Sequence, residues 1–435
     1  MLSRQTIETV QATIPVLVAH GETLTRHFYR RMFTGDPAVR AFFNPAHQHS
    51  GGQQRALAAA ICAYAQNIEN LAVLGGAVEI IAQKHCSLGV QPEHYPVVGK
   101  HLLGSIKEVL GDAATDAIIN AWGEAYGLLA DILIRREAEI YAQQQREHGW
   151  SGFGRFIVRS KRRESANITS LYLARADGKP VEPFKPGQYV TVRVPAPEAI
   201  DGDGDGDGDG DGGAPATTMR NYSLSGPSGA PVYRISVKRE LGADAAVPAG
   251  HVSSYLHDEV EEGDVVEVAP PCGEFVLQEP ANGESPDGPL VLIAGGVGAT
   301  PVLSMLHAAL GCTKCKDRDI WFIQGAIDGD AHAFRDEVQR LADLYPRLQV
   351  HVRYSNPTRA DRERELFDST GVVDAALVRE LIERPAGDFY FCGPKPMMAG
   401  LLNGLLAWGV DESRLRYEFF GPAQSLRETA QTAVA

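Results

Sequence analysis

Residues 290–301 read Leu-Val-Leu-Ile-Ala-Gly-Gly-Val-Gly-Ala-Thr-Pro. Five consecutive apolar residues, 290–294, are what a parallel strand buried on both faces requires. The turn Gly295-Gly296-Val297-Gly298-Ala299-Thr300 follows, and Pro301 stands where an early helix position tolerates proline. Glycine there lets the backbone approach a diphosphate, and the helix N-terminus favours its negative charge. Alone, the turn is a weak nucleotide signal, because many such turns carry glycine for steric reasons. It is also not the Gly-x-Gly-x-x-Gly fingerprint. Working outward, residues 320–324, 350–354 and 389–392 read as further strands alternating with helical patterns. Cys392-Gly393-Pro394 closes the last of them. Ligands of open α/β sheets bind at the carboxyl ends of strands, so both turns are well placed.

Upstream, alternating runs at 153–158, 168–173, 189–194, 233–238 and 265–269 predict short antiparallel strands and a β-barrel. Arg220-Asn221-Tyr222-Ser223 offers a cation, a flat ring and donors on one strand, as a flavin needs. An ordinary strand with a polar end fits that segment equally well. Val252-Ser253-Ser254 opens a helix-like segment with hydroxyls at its start, a phosphate-friendly feature, and Tyr189 adds an aromatic near the same rim. Within the barrel lies an Asp-Gly repeat at 201–213. Its start resembles a calcium loop, but Gly212 stands where the closing Glu belongs, so a flexible acidic insertion is expected.

Residues 1–147 read as helix throughout, with Leu17, Leu24, Phe28 and Met32 among the periodic apolar positions. Turns are expected at Gly75-Gly76 and at Gly89 with Pro92. Val78, Ile81, Ala82 and His85 fall on one helical face, so an imidazole occupies a core position. Such a histidine is more often a hydrogen-bonded core residue than a ligand. Residues 143–150 lack apolar periodicity and read as a linker.

At 435 residues the chain exceeds one domain. Its net charge of −14 argues against nucleic acid or an anionic membrane as partner, although the repeat alone contributes six of those charges. The longest apolar run near the N-terminus, 14–19, is too short for a signal peptide or a membrane span. Six scattered cysteines suggest a reducing compartment, so a cytoplasmic soluble protein is expected. Cys312-x-x-Cys315 is a lone pair without further metal ligands in sequence.

The ordered set of Pro186-Gly187-Gln188-Tyr189, Arg220-x-Tyr222-Ser223, Gly295 to Pro301 and Cys392-Gly393-Pro394 resembles the ferredoxin–NADP reductase superfamily. Preceded by an all-α domain with a candidate proximal histidine, it is similar to the flavohaemoglobins. The resemblance implies three domains: a haem-binding globin over 1–147, an FAD-binding β-barrel over 151–283 and an NAD(P)-binding α/β domain over 285–422. A polar tail, 423–435, is expected to be disordered. It implies nitric oxide dioxygenase activity, NO and O2 becoming nitrate at the expense of NAD(P)H, by a monomer carrying haem b and FAD. An oxygen-binding or sensing haem protein, or a flavin reductase serving a partner, are the alternatives.

By the same resemblance His85 is the proximal iron ligand and Phe43 packs on the haem. Tyr29, Gln53 and Leu57 line the distal side, and Lys84, Tyr95 and Glu137 flank His85. Tyr189, Arg220, Asn221, Tyr222, Ser223, Val252, Ser253 and Ser254 serve the flavin. Gly295, Gly296, Val297, Gly298, Ala299, Thr300, Cys392, Gly393 and Pro394 serve the nucleotide, and Glu418-Phe419-Phe420-Gly421-Pro422 covers the flavin. No basic cluster marks a 2′-phosphate pocket.

Overall fold

The computed structural model describes residues 2–44, 51–197, 217–242, 249–278, 288–313, 317–421 and 426. The Asp-Gly repeat, Cys315, Pro422 and nearly all of the tail lie outside the described residues.

The first third of the chain is helical. α1 (Arg4–Ala12) is capped by Ser3, whose Oγ accepts the Thr6 amide. α2 (Ile14–Gly35), α3 (Gly52–Gln66), α4 (Gly75–Leu88), α5 (His94–Leu110) and α6 (Asp116–His148) follow. Gly75 and Gly76, expected as a turn, are the first residues of α4, where no preceding carbonyl need be matched. α4 stops at Gly89, whose φ of 79° is costly for other residues.

The helical core is split. One cluster gathers Phe28, Tyr29, Met32, Leu102, Ile106 and Trp122, and a second gathers Ala82, Cys86, Tyr95, Leu133 and Ile140. Tyr126 and Leu129 of α6 touch both. By length and apolar composition α6 could cross a membrane, but here it packs on α1, α4 and α5.

The segment read as a linker is instead the last turns of α6. Gln144 and His148 are buried, and the Gln144 amide donates to Cys272 Sγ at 3.0 Å. Arg175 donates to the His148 carbonyl, and the Trp150 indole N–H to the Val268 carbonyl. A helix end that docks through polar side chains leaves no apolar period to read.

β1 (Gly154–Arg163), β2 (Ile168–Arg175), β3 (Tyr189–Pro195), β4 (Thr217–Ser223), β5 (Tyr233–Lys238) and β6 (Val265–Val268) form an antiparallel sheet in the order β4-β3-β6-β1-β2-β5. A Leu224–Ile235 bridge joins its two ends and closes the barrel. α7 (His251–Asp258) lies against it.

A second sheet is parallel, in the order β10-β9-β8-β7-β11-β12. Its strands are β7 (Leu290–Gly295), β8 (Ile320–Ala326), β9 (Leu348–Tyr354), β10 (Ser369–Thr370), β11 (Asp388–Cys392) and β12 (Leu415–Glu418). The helices are α8 (Ala299–Gly311), α9 (Arg335–Leu344), α10 (Arg359–Glu363), α11 (Ala375–Ile382) and α12 (Lys395–Trp408). Strand order reverses between β7 and β11, where open α/β sheets leave a ligand crevice. Leu426, within the expected disordered tail, is 2% exposed and joins this domain's core.

Gly298 shows why glycine is required beside that crevice. A Cβ there would lie 2.2 Å from the Cys392 carbonyl oxygen, so the two turns touch backbone to backbone. Gly298→Ala is expected to cost about 1–3 kcal/mol through forced displacement. A thermal or urea denaturation curve checks it, and an unshifted midpoint would refute the contact.

Candidate functional site

Glu137 lies on α6 and is 2% exposed. Such a carboxylate is tolerable only when hydrogen-bonded. The Tyr95 hydroxyl, in the first turn of α5, donates to its Oε1 at 2.6 Å, and His85 Nδ1 lies 2.7 Å from the same oxygen. Because a carboxylate only accepts, the imidazole proton belongs on Nδ1. Nε2 then carries a bare lone pair and has no hydrogen-bond partner among the described residues. That is the chemistry of a metal-ligating histidine oriented by an acid. Burial and the Glu137 carboxylate both push the Tyr95 phenol upward, so it stays a donor. The Tyr126 hydroxyl donates to the Tyr95 carbonyl and braces the group.

Phe43, Leu57, Ile81 and Val98, packed against the two core clusters, are half-buried. Tyr29 is 6% exposed and its ring meets Phe43 edge-on, centroids 5.6 Å apart. Its hydroxyl makes no hydrogen bond among the described residues, and burial pushes it upward. Gln53 and Leu57 stand one turn apart on α3, both half-buried. Among the described residues no group of three His, Cys, Asp or Glu side chains could hold a metal ion. A single histidine with a bare Nε2 instead fits an iron whose remaining donors come from a porphyrin.

Lys84 departs from its expected place. It does not join His85, Tyr95 and Glu137, because adjacent helical residues face directions about 100° apart. Its ammonium stands 5.5 Å over the Tyr189 ring of the barrel. Lys84 is exposed as a residue, yet the protein packed around its ammonium desolvates that charge and pushes it down to about 8 against the pull of Glu418. Ser87, one turn further along α4, accepts from Asn221 Nδ2 at 3.4 Å, and Gln83 accepts from the Gly273 amide. One helix therefore carries His85 on one side and meets the barrel rim on another.

On the barrel, Tyr189 pairs with Ser223 and Thr191 with Asn221 across β3 and β4. Strand alternation puts Arg220 and Tyr222 on one face and Asn221 and buried Ser223 on the other, so the cation and flat ring expected for a flavin do not share a face with the Ser223 donor. Arg220 donates to Asn44 Oδ1 at 2.9 Å, next to Phe43. Val252 and Ser253 are buried in the first turn of α7, and Ser253 Oγ donates to the Gly250 carbonyl. The amides of that turn suit an anion.

Gly295 and Gly393 lie at the ends of neighbouring strands, with Ala294 registered to Cys392. Gly296, Val297 and Gly298 make a tight 3₁₀ turn, Ala299 opens α8, and Thr300 Oγ1 donates to the Val297 carbonyl. Pro394 caps α12. Glu418 ends β12 beside Cys392, and its Oε2 is buried without a hydrogen-bond partner among the described residues. Phe419 packs on the α/β core, Phe420 is 44% exposed, and Gly421 follows.

Asn44, Ser87, Gln83, Gln144 and Cys272 are contacts that the sequence did not flag. Each is one ordinary polar residue meeting a partner more than a hundred positions away.

The globin family model matches residues 26–133, and the oxidoreductase NAD-binding domain model matches 292–402. A flavohemoprotein of Rhodopirellula baltica is 48% identical, covering 98% of this chain and 99% of that one. A flavohemoprotein of Rhizobium meliloti is 46% identical over 97% and 99%. Among solved structures, a flavohemoglobin of Malassezia yamatoensis with bound FAD and heme is 26% identical at a TM-score of 0.78, covering 97% of this chain and 100% of that one. The FAD/NAD-binding domain of a nitric oxide dioxygenase from Vibrio cholerae is 34% identical at a TM-score of 0.50, covering 62% and 99%.

Burial pushes the Glu418 carboxyl up to about 7, with Lys84 pulling the other way. The folded state then keeps a proton that the unfolded chain loses at its ordinary acidic pKa. Stability is full below that value and declines as pH rises to about 7. In flavin-free protein Glu418→Gln should flatten this decline, raising the melting temperature by a few degrees at pH 8 and not at pH 4. Equal shifts at both pH values would refute it.

Proposed function

The chain belongs to the flavohemoprotein family, and from that premise we propose that it is an NAD(P)H-dependent nitric oxide dioxygenase, a cytoplasmic monomer that detoxifies NO. NO and O2 become nitrate, each nitrate taking up one electron. When bound, haem supplies an iron for oxygen, and FAD turns the electron pair of a hydride into single electrons.

The chain's own residues divide the work. His85 offers Nε2 to the iron, while Glu137 and Tyr95 hold the proton at Nδ1. A carboxylate on that proton gives the imidazole more anionic character and favours the oxidised metal. Phe43 and Leu57, packed against the helical core, would shield the haem from water. The Tyr29 hydroxyl and the Gln53 amide are donors for charge building up on oxygen. Arg220 and the first-turn amides of α7 would hold flavin phosphate, Tyr189 and Tyr222 would serve its flat ring system, and Asn221 and Ser223 would serve its polar edge. The 295–300 turn and Cys392-Gly393-Pro394 hold the nicotinamide nucleotide, and Glu418, Phe419 and Phe420 cover the flavin.

What carries this reading is α4. His85 turns toward Glu137 while Lys84 and Ser87 of the same helix turn meet Tyr189 and Asn221 of the barrel. One helix would therefore hold the iron through His85 and meet, through Lys84 and Ser87, the barrel rim that would hold the flavin.

The purified protein should show Soret and flavin absorption and, under NADH and O2, convert NO to nitrate in stopped-flow assays. Nitrate no faster than the spontaneous reaction would leave an oxygen-binding haem protein instead. Glu137→Gln should raise the haem potential, and an unchanged potential by spectroelectrochemistry would refute its role. Tyr29→Phe should speed O2 release by roughly tenfold or more, the loss of one charge-assisted hydrogen bond, as read by flash photolysis.

A further inference from the structure

The barrel and the nucleotide-binding domain share a mostly apolar seam. Ile168 and Phe275 of the barrel are buried in one cluster with Leu303, Leu306 and Phe322. Beside this seam lies an ion cluster. Arg234 of β5 is 6% exposed and forks onto Glu337 of α9, Nη1 to Oε2 at 2.7 Å and Nη2 to Oε1 at 3.1 Å. His307 Nε2 of α8 lies 2.7 Å from the same Oε1.

Arg234 has a second grip. Its Nε donates to Ser225 Oγ at 3.1 Å and its Nη2 to the Ser225 carbonyl. Ser225 continues the Arg220–Ser223 strand. One guanidinium thus holds the flavin-side strand and the nucleotide-side helix together. β5 also packs against the Gly296–Gly298 turn. Phe334, whose ring lies 5.5 Å from the guanidinium, has a φ of 64°. A bulky residue keeps such a backbone only where its surroundings impose it.

Stability alone is a poor explanation for this cluster. Desolvation offsets much of the attraction in a buried ion pair, and apolar residues would hold the seam as well. A bidentate fork does what an apolar contact cannot, because its planar geometry admits one angle between the two elements. Hydride transfer has that need. The nicotinamide C–H bond breaks with its electron pair, the hydride joins the flavin, and the nicotinamide leaves as the oxidised cation. Reacting atoms must meet within about 3–3.5 Å.

We propose that Arg234, Glu337 and His307 form a latch that sets the nucleotide-binding domain against the barrel, making Arg234 and Glu337 positioning residues for hydride transfer. The proposal rests on the reading above that these two domains exchange a hydride.

The test uses the full-length, FAD- and haem-loaded protein. In anaerobic stopped-flow, Glu337→Gln should slow flavin reduction by NADH about tenfold and enlarge the isotope effect with NADH deuterated at the transferred position. Hydrogen exchange should quicken in residues 225–234 and 335–344. Glu337→Asp, which keeps the carboxylate, should recover part of the rate. If Glu337→Gln does not fold, Arg234→Lys, which keeps charge but loses the fork, is read in the same way. Loaded variants that reduce flavin within twofold of the parent rate with an unchanged isotope effect overturn the latch, whatever their melting temperature. Failure of NADH to reduce the flavin of the unaltered protein would instead overturn the functional reading.

Discussion

A carboxylate removed from water sets the terms for the helical domain. Glu137 is tolerable in its position only because Tyr95 and His85 satisfy one of its oxygens. Those bonds tie α4, α5 and α6 together at a single atom. They also settle which imidazole nitrogen bears the proton and which way the ring turns. Without Glu137 the histidine would be one more polar residue on an apolar helix face. With it, Nδ1 is engaged and Nε2 is left bare.

The 100° step of α4 then connects this group to the rest of the molecule. His85 belongs to the buried carboxylate, and its neighbour Lys84 belongs to Tyr189 and Glu418. The end of α6 reinforces the arrangement, since Gln144 docks on Cys272, which is bridged to Tyr189. Between the barrel and the α/β domain, Arg234 and Glu337 play the corresponding part. Each junction uses a few directional polar contacts beside apolar packing. Apolar area holds the domains together, and the polar contacts select their angles.

Much of this was legible in the chain. The helical, antiparallel and parallel regions announce themselves through hydrophobic period, because each architecture buries a different pattern of side chains. The buried run 290–294 and its glycine turn are local signals, since strand, turn and helix are adjacent in sequence. The segment 143–150 resembles a linker for the converse reason. Its helix is stabilised by polar docking on another domain, and polar docking has no period. Adjacency in sequence to His85 implies for Lys84 a shared role that helix geometry forbids. Ser223 was placed with Arg220 and Tyr222 although a strand turns alternate residues apart. Leu426 was lost within a tail whose composition is otherwise polar.

The sequence by itself determined the order and kind of the domains, the positions of the glycine turns and the short list of side chains able to carry chemistry. These follow from local periodicity and from chemistry that only certain residue types possess. Tertiary structure decided what each of those side chains faces. Glu137 is 52 positions from His85, Asn44 is 176 from Arg220, and Arg234 is 103 from Glu337. Contacts at such separations arise from how helices and sheets pack, and a single hydrogen-bonding residue leaves no periodic trace from which its partner could be read.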